Sequence, residues 1–151
     1  MSQNNSANVS HSDQVLYEVS DKIATITLNR PEKLNAMSQS LLDDLERAFD
    51  RAKDDSSAKV VLLKGAGRSF CAGYDLAPDD WILTQYGADF DGPVNAVQDR
   101  EDVTKILEYW LRLWKFPKPI IAEVQGVCLS GAGELLAMAD IVVAADNARF
   151  G

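Results

Sequence analysis

The chain has one histidine, His11, among its 151 residues, and it stands in a polar stretch rich in Ser and Asn, Met1 to Asp13. An imidazole in an unstructured arm cannot be held within hydrogen-bond reach of a nucleophile, so Ser–His and Cys–His catalysis are excluded. A zinc centre loses its commonest ligand in the same way, and no metal site is expected. Cys71 and Cys128 are the only cysteines; they have neither zinc-ligand spacing nor a disulfide framework and read as reduced, buried small residues, with a redox pair as the alternative. No apolar run approaches the roughly 18 residues a membrane span needs, so no membrane association is expected. Met1 to Asp13 lacks the cationic start and apolar stretch of a secretory signal and reads as a disordered tail, which points to a cytoplasmic protein. Fifteen Lys and Arg stand against 23 Asp and Glu, a net charge of −8, and the basic residues form no cluster. Nucleic acid is therefore not an expected partner.

What the chain does have is 46% hydrophobic residues, enough to bury one core, and residues 14–151 read as a single unit. Val15 to Val19 and Ile23 to Leu28 alternate as two strands joined by the tight turn Ser20-Asp21-Lys22. Arg30-Pro31-Glu32-Lys33 breaks the pattern, and Ser38 is a good N-cap for the helical stripe Leu41, Leu42, Leu45, Ala48, Phe49 and Ala52. Lys59 to Lys64 is a short buried strand, followed by the turn Gly65-Ala66-Gly67. Asp79 to Asp99 reads as irregular, a lid or pocket wall, or else disordered. Val103, Ile106, Leu107, Trp110, Leu111 and Trp114 form one helical stripe, read as core or subunit contact rather than a ligand cage. Ile120 to Val124 is a strand, Gly131 to about Met138 a helix, and Ile141 to Ala145 a strand. Strands alternating with helices predict an α/β fold of repeated crossover units.

Two Gly-bearing stretches carry the chemistry: Phe70-Cys71-Ala72-Gly73-Tyr74-Asp75-Leu76, and Gly126-Val127-Cys128-Leu129-Ser130-Gly131-Ala132-Gly133-Glu134. Each follows a strand, where backbone N–H groups leave the ladder. A helix beginning at Gly131 leaves its first amides without intrahelical partners, so the Gly131 N–H can face a developing oxyanion. Gly73 permits an unusual backbone angle that lets the Tyr74 amide point into the same pocket. Glu134 follows within the first turn, near enough to act on an atom beside a bound carbonyl; its structural alternative is an exposed acid favouring the helix N-terminus. Asp75 is expected to cap the turn or the following segment. Two oxyanion donors beside a carboxylate suggest acyl-thioester chemistry. A dinucleotide-binding loop at Gly65-Ala66-Gly67 fails because position 70, where the third glycine belongs, is Phe. A serine hydrolase around Ser130 fails for want of a histidine and of the elbow spacing.

The chain resembles the crotonase superfamily, the enoyl-CoA hydratase/isomerase family. The resemblance runs through Ile23 to Arg30 with Pro31-Glu32-Lys33-Leu34-Asn35-Ala36, Ser69 to Leu76, Lys118-Pro119 through Gly133-Glu134, Ala139-Asp140, and Ala148-Arg149-Phe150-Gly151. It implies a crotonase-like spiral of ββα units, stopping before the C-terminal helices, that binds an acyl-CoA thioester. Tyr74 and Gly131 would supply the two amides and Glu134 one hydratase glutamate. Ala72 and Leu76 fall where the family's backbone meets the CoA adenine, with Gly73, Tyr74 and Asp75 between them, and Lys33, Asn35 and Ala36 lie along the CoA-binding loop. No cofactor is implied, since coenzyme A is part of the substrate. The reaction implied is hydration of an enoyl-CoA. Carnitinyl-CoA-type dehydration, isomerisation, dehalogenation, thioester hydrolysis and a non-catalytic acyl-CoA-binding fragment stand as alternatives.

Three departures accompany the resemblance. Ser130-Gly131-Ala132 keeps only the central member of a run that is often three glycines. Tyr74 puts an aromatic ring at the first oxyanion position, either shaping the acyl pocket or packing outward. The second hydratase glutamate and the helices that drive trimer formation follow the Phe-Gly motif in the family, so this chain reads as an N-terminal portion of a homotrimer or dimer of trimers.

Overall fold

In a computed structural model, which describes residues 14–77 and 95–151, the elements run in chain order as follows. The first half holds β1 (Val15–Ser20), β2 (Ile23–Leu28), a 3-10 turn (Pro31–Lys33), α1 (Gln39–Asp54) and β3 (Val60–Gly65). The second holds α2 (Ala96–Trp114), β4 (Ile120–Val124), β5 (Val127–Cys128), α3 (Gly131–Ala137), β6 (Ile141–Ala144) and β7 (Arg149–Phe150). The main sheet has the order β1-β2-β3-β4-β6. Only the β1–β2 pair is antiparallel; β2, β3, β4 and β6 are parallel, joined by crossovers as the alternation of elements predicts.

The hairpin turn works without glycine. Asp21 and Lys22 both take left-handed angles, φ 52° and 68°, and this double positive φ gives a two-residue turn the twist of the strands it joins. Register then follows from Ser20 opposite Ile23 to Val15 opposite Leu28, which turns Ala24, Ile26 and Leu28 into the core. Ser38 caps α1 as expected, its Oγ accepting from the Leu41 N–H at 3.2 Å. The predicted stripe from Leu41 to Ala52 is buried throughout. At the other end of α1 the Lys118 ammonium donates to the carbonyls of Ala52 (2.5 Å) and Asp55 (2.7 Å), a cation satisfying the orphan acceptors of a helix C-terminus.

Several expectations are corrected. Helix α2 begins at Ala96, well before the apolar stripe at Val103, so 96–99 are helical rather than part of an irregular segment; 78–94 lie outside the described residues. The stripe itself is divided: Trp110 and Leu113 are buried, whereas Val103, Leu107 and Trp114 are more than half exposed. The helix meets α1 through its C-terminal half, where Tyr109 Oη reaches the Leu42 carbonyl at 3.5 Å and Arg112 pairs with Glu46. β3 takes in Gly65, placed beforehand in a turn, because Gly65 still pairs with Leu28. The small β5–β7 sheet was not anticipated, two-residue strands being too short for a period-two signal. All of β6 is exposed, Ile141, Val142 and Val143 included.

The turn after β2 is held by Asn35. Leu34 and Asn35 both have positive φ, 51° and 56°, and Asn is among the residues that tolerate this region. The Asn35 side chain is fully buried. Its Oδ1 accepts from the Arg30 N–H (2.9 Å), and its Nδ2 donates to the carbonyls of Ala66 (2.9 Å), Ser69 (2.9 Å) and Phe70 (3.1 Å). One amide thus joins the 30–36 turn to the segment that leads into the first Gly-bearing stretch. Removing it leaves buried backbone groups unpaired. Asn35→Ala is expected to lower stability by about 2 to 3 kcal/mol in urea unfolding; a loss below about 0.5 kcal/mol would mean water replaces the amide.

Candidate active site

The two Gly-bearing stretches come together. Cys71 and Cys128 form a parallel bridge, with the Cys71 N–H donating to the Val127 carbonyl (3.1 Å) and the Leu129 N–H to the Cys71 carbonyl (3.2 Å). On the other side, Ala72 N–H bonds the Leu34 carbonyl (3.0 Å), Met37 N–H the Gly73 carbonyl (2.7 Å), and Asp75 N–H the Met37 carbonyl (3.0 Å). In such a ladder the amide of the intervening residue, Tyr74, is turned away from Met37. Gly73 has φ +98°, and a Cβ there would stand 2.7 Å from the Leu129 carbonyl oxygen and 2.9 Å from Ser130 Cβ. Only glycine allows the two backbones this close.

Across that contact lies the turn into α3. Ser130 takes φ 52° and ψ −129°, a region that side chains rarely adopt and that stores strain. Its N–H donates to the Gly151 carbonyl at 2.7 Å, so the Ala148 to Gly151 motif pins this turn through β7. Ala132 and Gly133 N–H groups bond the Leu129 and Ser130 carbonyls (3.0 and 2.8 Å). Among the described residues the Gly131 N–H makes no hydrogen bond. Gly131 is covered by Tyr74: a Cβ at Gly131 would stand 2.7 Å from both Cδ2 and Cζ of that ring.

The Tyr74 hydroxyl donates to Glu134 Oε2 at 2.6 Å. The two side chains the sequence marks in separate stretches are therefore partners, and the ring packs inward on the site, not outward. Burial pushes the Tyr74 phenol well above its ordinary value, and the bond to Glu134 raises it further. The Trp110 indole N–H faces the same hydroxyl and offsets part of this rise, short of hydrogen-bond geometry.

The other predicted residues are distributed around this centre. Asp75 is a brace, as the capping expectation had it: Oδ1 accepts from Ala77 N–H (3.1 Å) and Oδ2 from the Arg30 guanidinium (2.9 Å). Burial alone would raise its carboxyl; the Arg30 bond, the Ala77 N–H and the charges of Arg30 and Lys33 together outweigh that and hold it below the usual range. Arg30 also donates to the Ala36 carbonyl at 2.7 Å. Asn35 is spent on backbone groups, while Lys33 and Leu76 are exposed and Ala72 is half-buried at the bridge. No group of three or more His, Cys, Asp or Glu side chains able to hold a metal occurs among the described residues.

Sequence reasoning missed the cavity. Between α1 and α2 lies a space of about 430 Å³ with Leu42, Tyr74, Ile106, Tyr109 and Trp110 in its wall. The spacing of Ile106 and Trp110 on one helical face was visible, but not that α1 stands opposite. Among the described residues, no helix is long and apolar enough to cross a membrane.

Two outcomes follow. Gly131→Ala forces its methyl against the Tyr74 ring, so this change and Tyr74→Ala should be non-additive in urea unfolding, with a coupling of about 1 to 2 kcal/mol; additivity would separate the two residues. Burial pushes the Cys71 thiol up to about 12 from 9.0. The folded state then keeps the proton that the unfolded chain gives up, so the stability this provides is complete below pH 9 and is lost as pH rises from there toward about 12. Cys71→Ala should flatten the alkaline fall in stability over that window, as read by unfolding at stepped pH.

Comparison with known proteins supports the same reading. The family model for enoyl-CoA hydratase/isomerase matches residues 18–151. The chain is 31% identical over 137 residues to a trans-2-decenoyl-[acyl-carrier-protein] isomerase from Streptococcus mutans, covering 91% of this chain and 49% of that protein. Among solved structures it is similar to a probable enoyl-CoA hydratase from Mycobacterium thermoresistibile (39% identity, TM-score 0.76, 91% of this chain and 52% of that one). It is likewise similar to an enoyl-CoA hydratase from Mycobacterium smegmatis (31% identity, TM-score 0.79, 91% and 49%). The chain thus spans about half the length of these relatives. With this match over nearly all the described residues, and with the crotonase fold shared by the solved structures, the chain belongs to the enoyl-CoA hydratase/isomerase family.

Proposed function

We propose that this chain supplies the oxyanion-binding half of an enoyl-CoA hydratase, adding water across the double bond of an enoyl-CoA thioester. The observation that supports the reading is the contact of Gly73 with the Leu129 to Gly131 turn, which sets the stretch holding Tyr74 against a turn whose Gly131 N–H, among the described residues, makes no hydrogen bond. A thioester oxygen placed between the two amides is polarised as charge develops on it, an interaction worth about 3 to 4 kcal/mol per donor in comparable sites.

Glu134 is the acid/base. Its Oε2 is engaged by the Tyr74 hydroxyl, which fixes the carboxylate and leaves Oε1 as the oxygen that accepts a proton from water. Water attacks the β-carbon as Glu134 takes its proton, the double-bond electrons pass to the thioester oxygen, and the enolate collapses as Glu134 returns that proton to the α-carbon. The exposed Lys33 and the 72–76 backbone are the proposed coenzyme A contacts. Asn35 and Asp75 act by shaping that surface, since their polar atoms are bonded within the protein. A cytoplasmic homo-oligomer is part of the same reading.

A second reaction has a specific observation behind it. The Streptococcus mutans relative is named an isomerase. One carboxylate that removes a proton from one carbon and returns it two carbons away would serve isomerisation with the same oxyanion site.

Glu134→Ala should cut hydration of crotonyl-CoA by at least about a hundredfold while a saturated acyl-CoA still binds with nearly unchanged affinity. The assay follows the loss of enoyl absorbance, with an enoyl ester of shifted double bond run in parallel. Unchanged turnover in the variant would remove Glu134 from the mechanism, and double-bond migration without water addition would select the isomerase reading.

A further inference from the structure

Trp110 lies on α2, 5% exposed and packed edge-on against Tyr109 (centroids 4.8 Å apart, 76° between planes). Its indole Nε1 is buried and, among the described residues, meets no acceptor at hydrogen-bond geometry. A buried donor left unpaired is costly and rare in native proteins, so the acceptor it faces matters. That acceptor is the Tyr74 hydroxyl oxygen.

The two groups are complementary. A phenol hydroxyl has one proton to give and lone pairs with which to receive, whereas an indole N–H only donates. Tyr74 gives its proton to Glu134 Oε2 at 2.6 Å, which leaves its lone pairs for the indole. Donation into them draws density from the hydroxyl and strengthens the bond it makes onward, since linked hydrogen bonds polarise one another. It also sets direction, because a hydroxyl proton turned toward the indole would meet a second proton there. Hydrogen bonds around a reacting centre are often long before substrate binds and shorten once it does. Trp110 comes from α2, Tyr74 from the first Gly-bearing stretch and Glu134 from the first turn of α3, so the line joins separate elements. Tyr109 and Arg112, near Trp110 on α2, spend their polar atoms on α1 instead, at the Leu42 carbonyl (3.5 Å) and at Glu46.

From this we propose that Trp110 is a positioning residue: its indole N–H donates to the Tyr74 hydroxyl oxygen and thereby commits that hydroxyl's proton to Glu134, holding the carboxylate for proton transfer. The proposal rests on the reading of Glu134 as acid/base and extends it to a residue that touches no reacting atom. It holds for water addition and for double-bond migration alike, since one carboxylate serves both.

The test has two arms. Turnover of an enoyl-CoA ester is followed in the wild-type chain, Trp110→Phe, Tyr74→Phe and the double variant, with the affinity for butyryl-CoA measured beside it. Tyr74→Phe keeps a ring at this position and removes the hydroxyl. The expected result is that Trp110→Phe lowers kcat about threefold to tenfold, leaves butyryl-CoA affinity nearly unchanged, and makes no further difference once Tyr74 is Phe. A Trp110 that only packs lowers kcat equally in either background; that result, or an unchanged kcat in Trp110→Phe, overturns the proposal. The second arm stands in case Trp110→Phe does not fold. The Trp110 indole N–H resonance, assigned through its contacts with the Tyr109 ring, should move upfield in Tyr74→Phe, and a resonance indifferent to loss of the hydroxyl overturns the proposal. Each of these failures leaves the acyl-CoA reading intact. Full turnover in Glu134→Ala, or none in the wild-type chain, would overturn that reading and this role together.

Discussion

The structure turns on one close backbone approach, Gly73 against the Leu129 to Gly131 turn. The Cys71–Cys128 bridge sets the two stretches side by side, and Gly73 at φ +98° lets them touch. Each depends on distant chain for its own shape. The first is held from behind by Leu34 and Met37, in a turn that Asn35 ties down; the second is held by Gly151 through Ser130. Tyr74 and Glu134, sixty residues apart, meet only because these constraints act together.

This arrangement divides the family's motif residues into two kinds. Gly131, Tyr74 and Glu134 meet one another, the Tyr74 ring lying over Gly131 and its hydroxyl bonding Glu134. Asn35, Lys118 and Asp140 do not: Asn35 binds three carbonyls, Lys118 closes the end of α1, and Asp140 Oδ2 accepts the Ile120 N–H at 2.7 Å at the start of β4. In the proposed site, polar residues of the second kind would carry the accuracy of the first, since an oxyanion donor misplaced by an ångström loses much of its effect.

Much of this was legible from local physics. The α1 stripe and its Ser38 cap, the hairpin and the parallel strands follow from periodicity and capping alone. The meeting of the two Gly-bearing stretches followed from the resemblance, because contacts across sixty residues leave no periodic trace. The two-residue β5 and β7 were illegible for lack of length, and the start of α2 because the five residues between Val97 and Val103 are all polar and carry no apolar stripe. Tyr74 shows the limit most clearly: its residue type announces a ring, but whether that ring turns outward or onto Gly131 depends on the angle at Gly73. The Trp110 cavity was hidden for a similar reason, as a helical stripe does not say which part of it meets another helix.

The central claim is that backbone amides at Tyr74 and Gly131 polarise a bound thioester carbonyl. Isotope-edited infrared spectroscopy of an acyl-CoA labelled with carbon-13 at that carbonyl reads it directly, with no need for turnover. The account predicts a shift of the carbonyl stretch to lower frequency on binding, as two donors lengthen the bond. A bound ester whose carbonyl absorbs as it does in water, or at higher frequency, would contradict it.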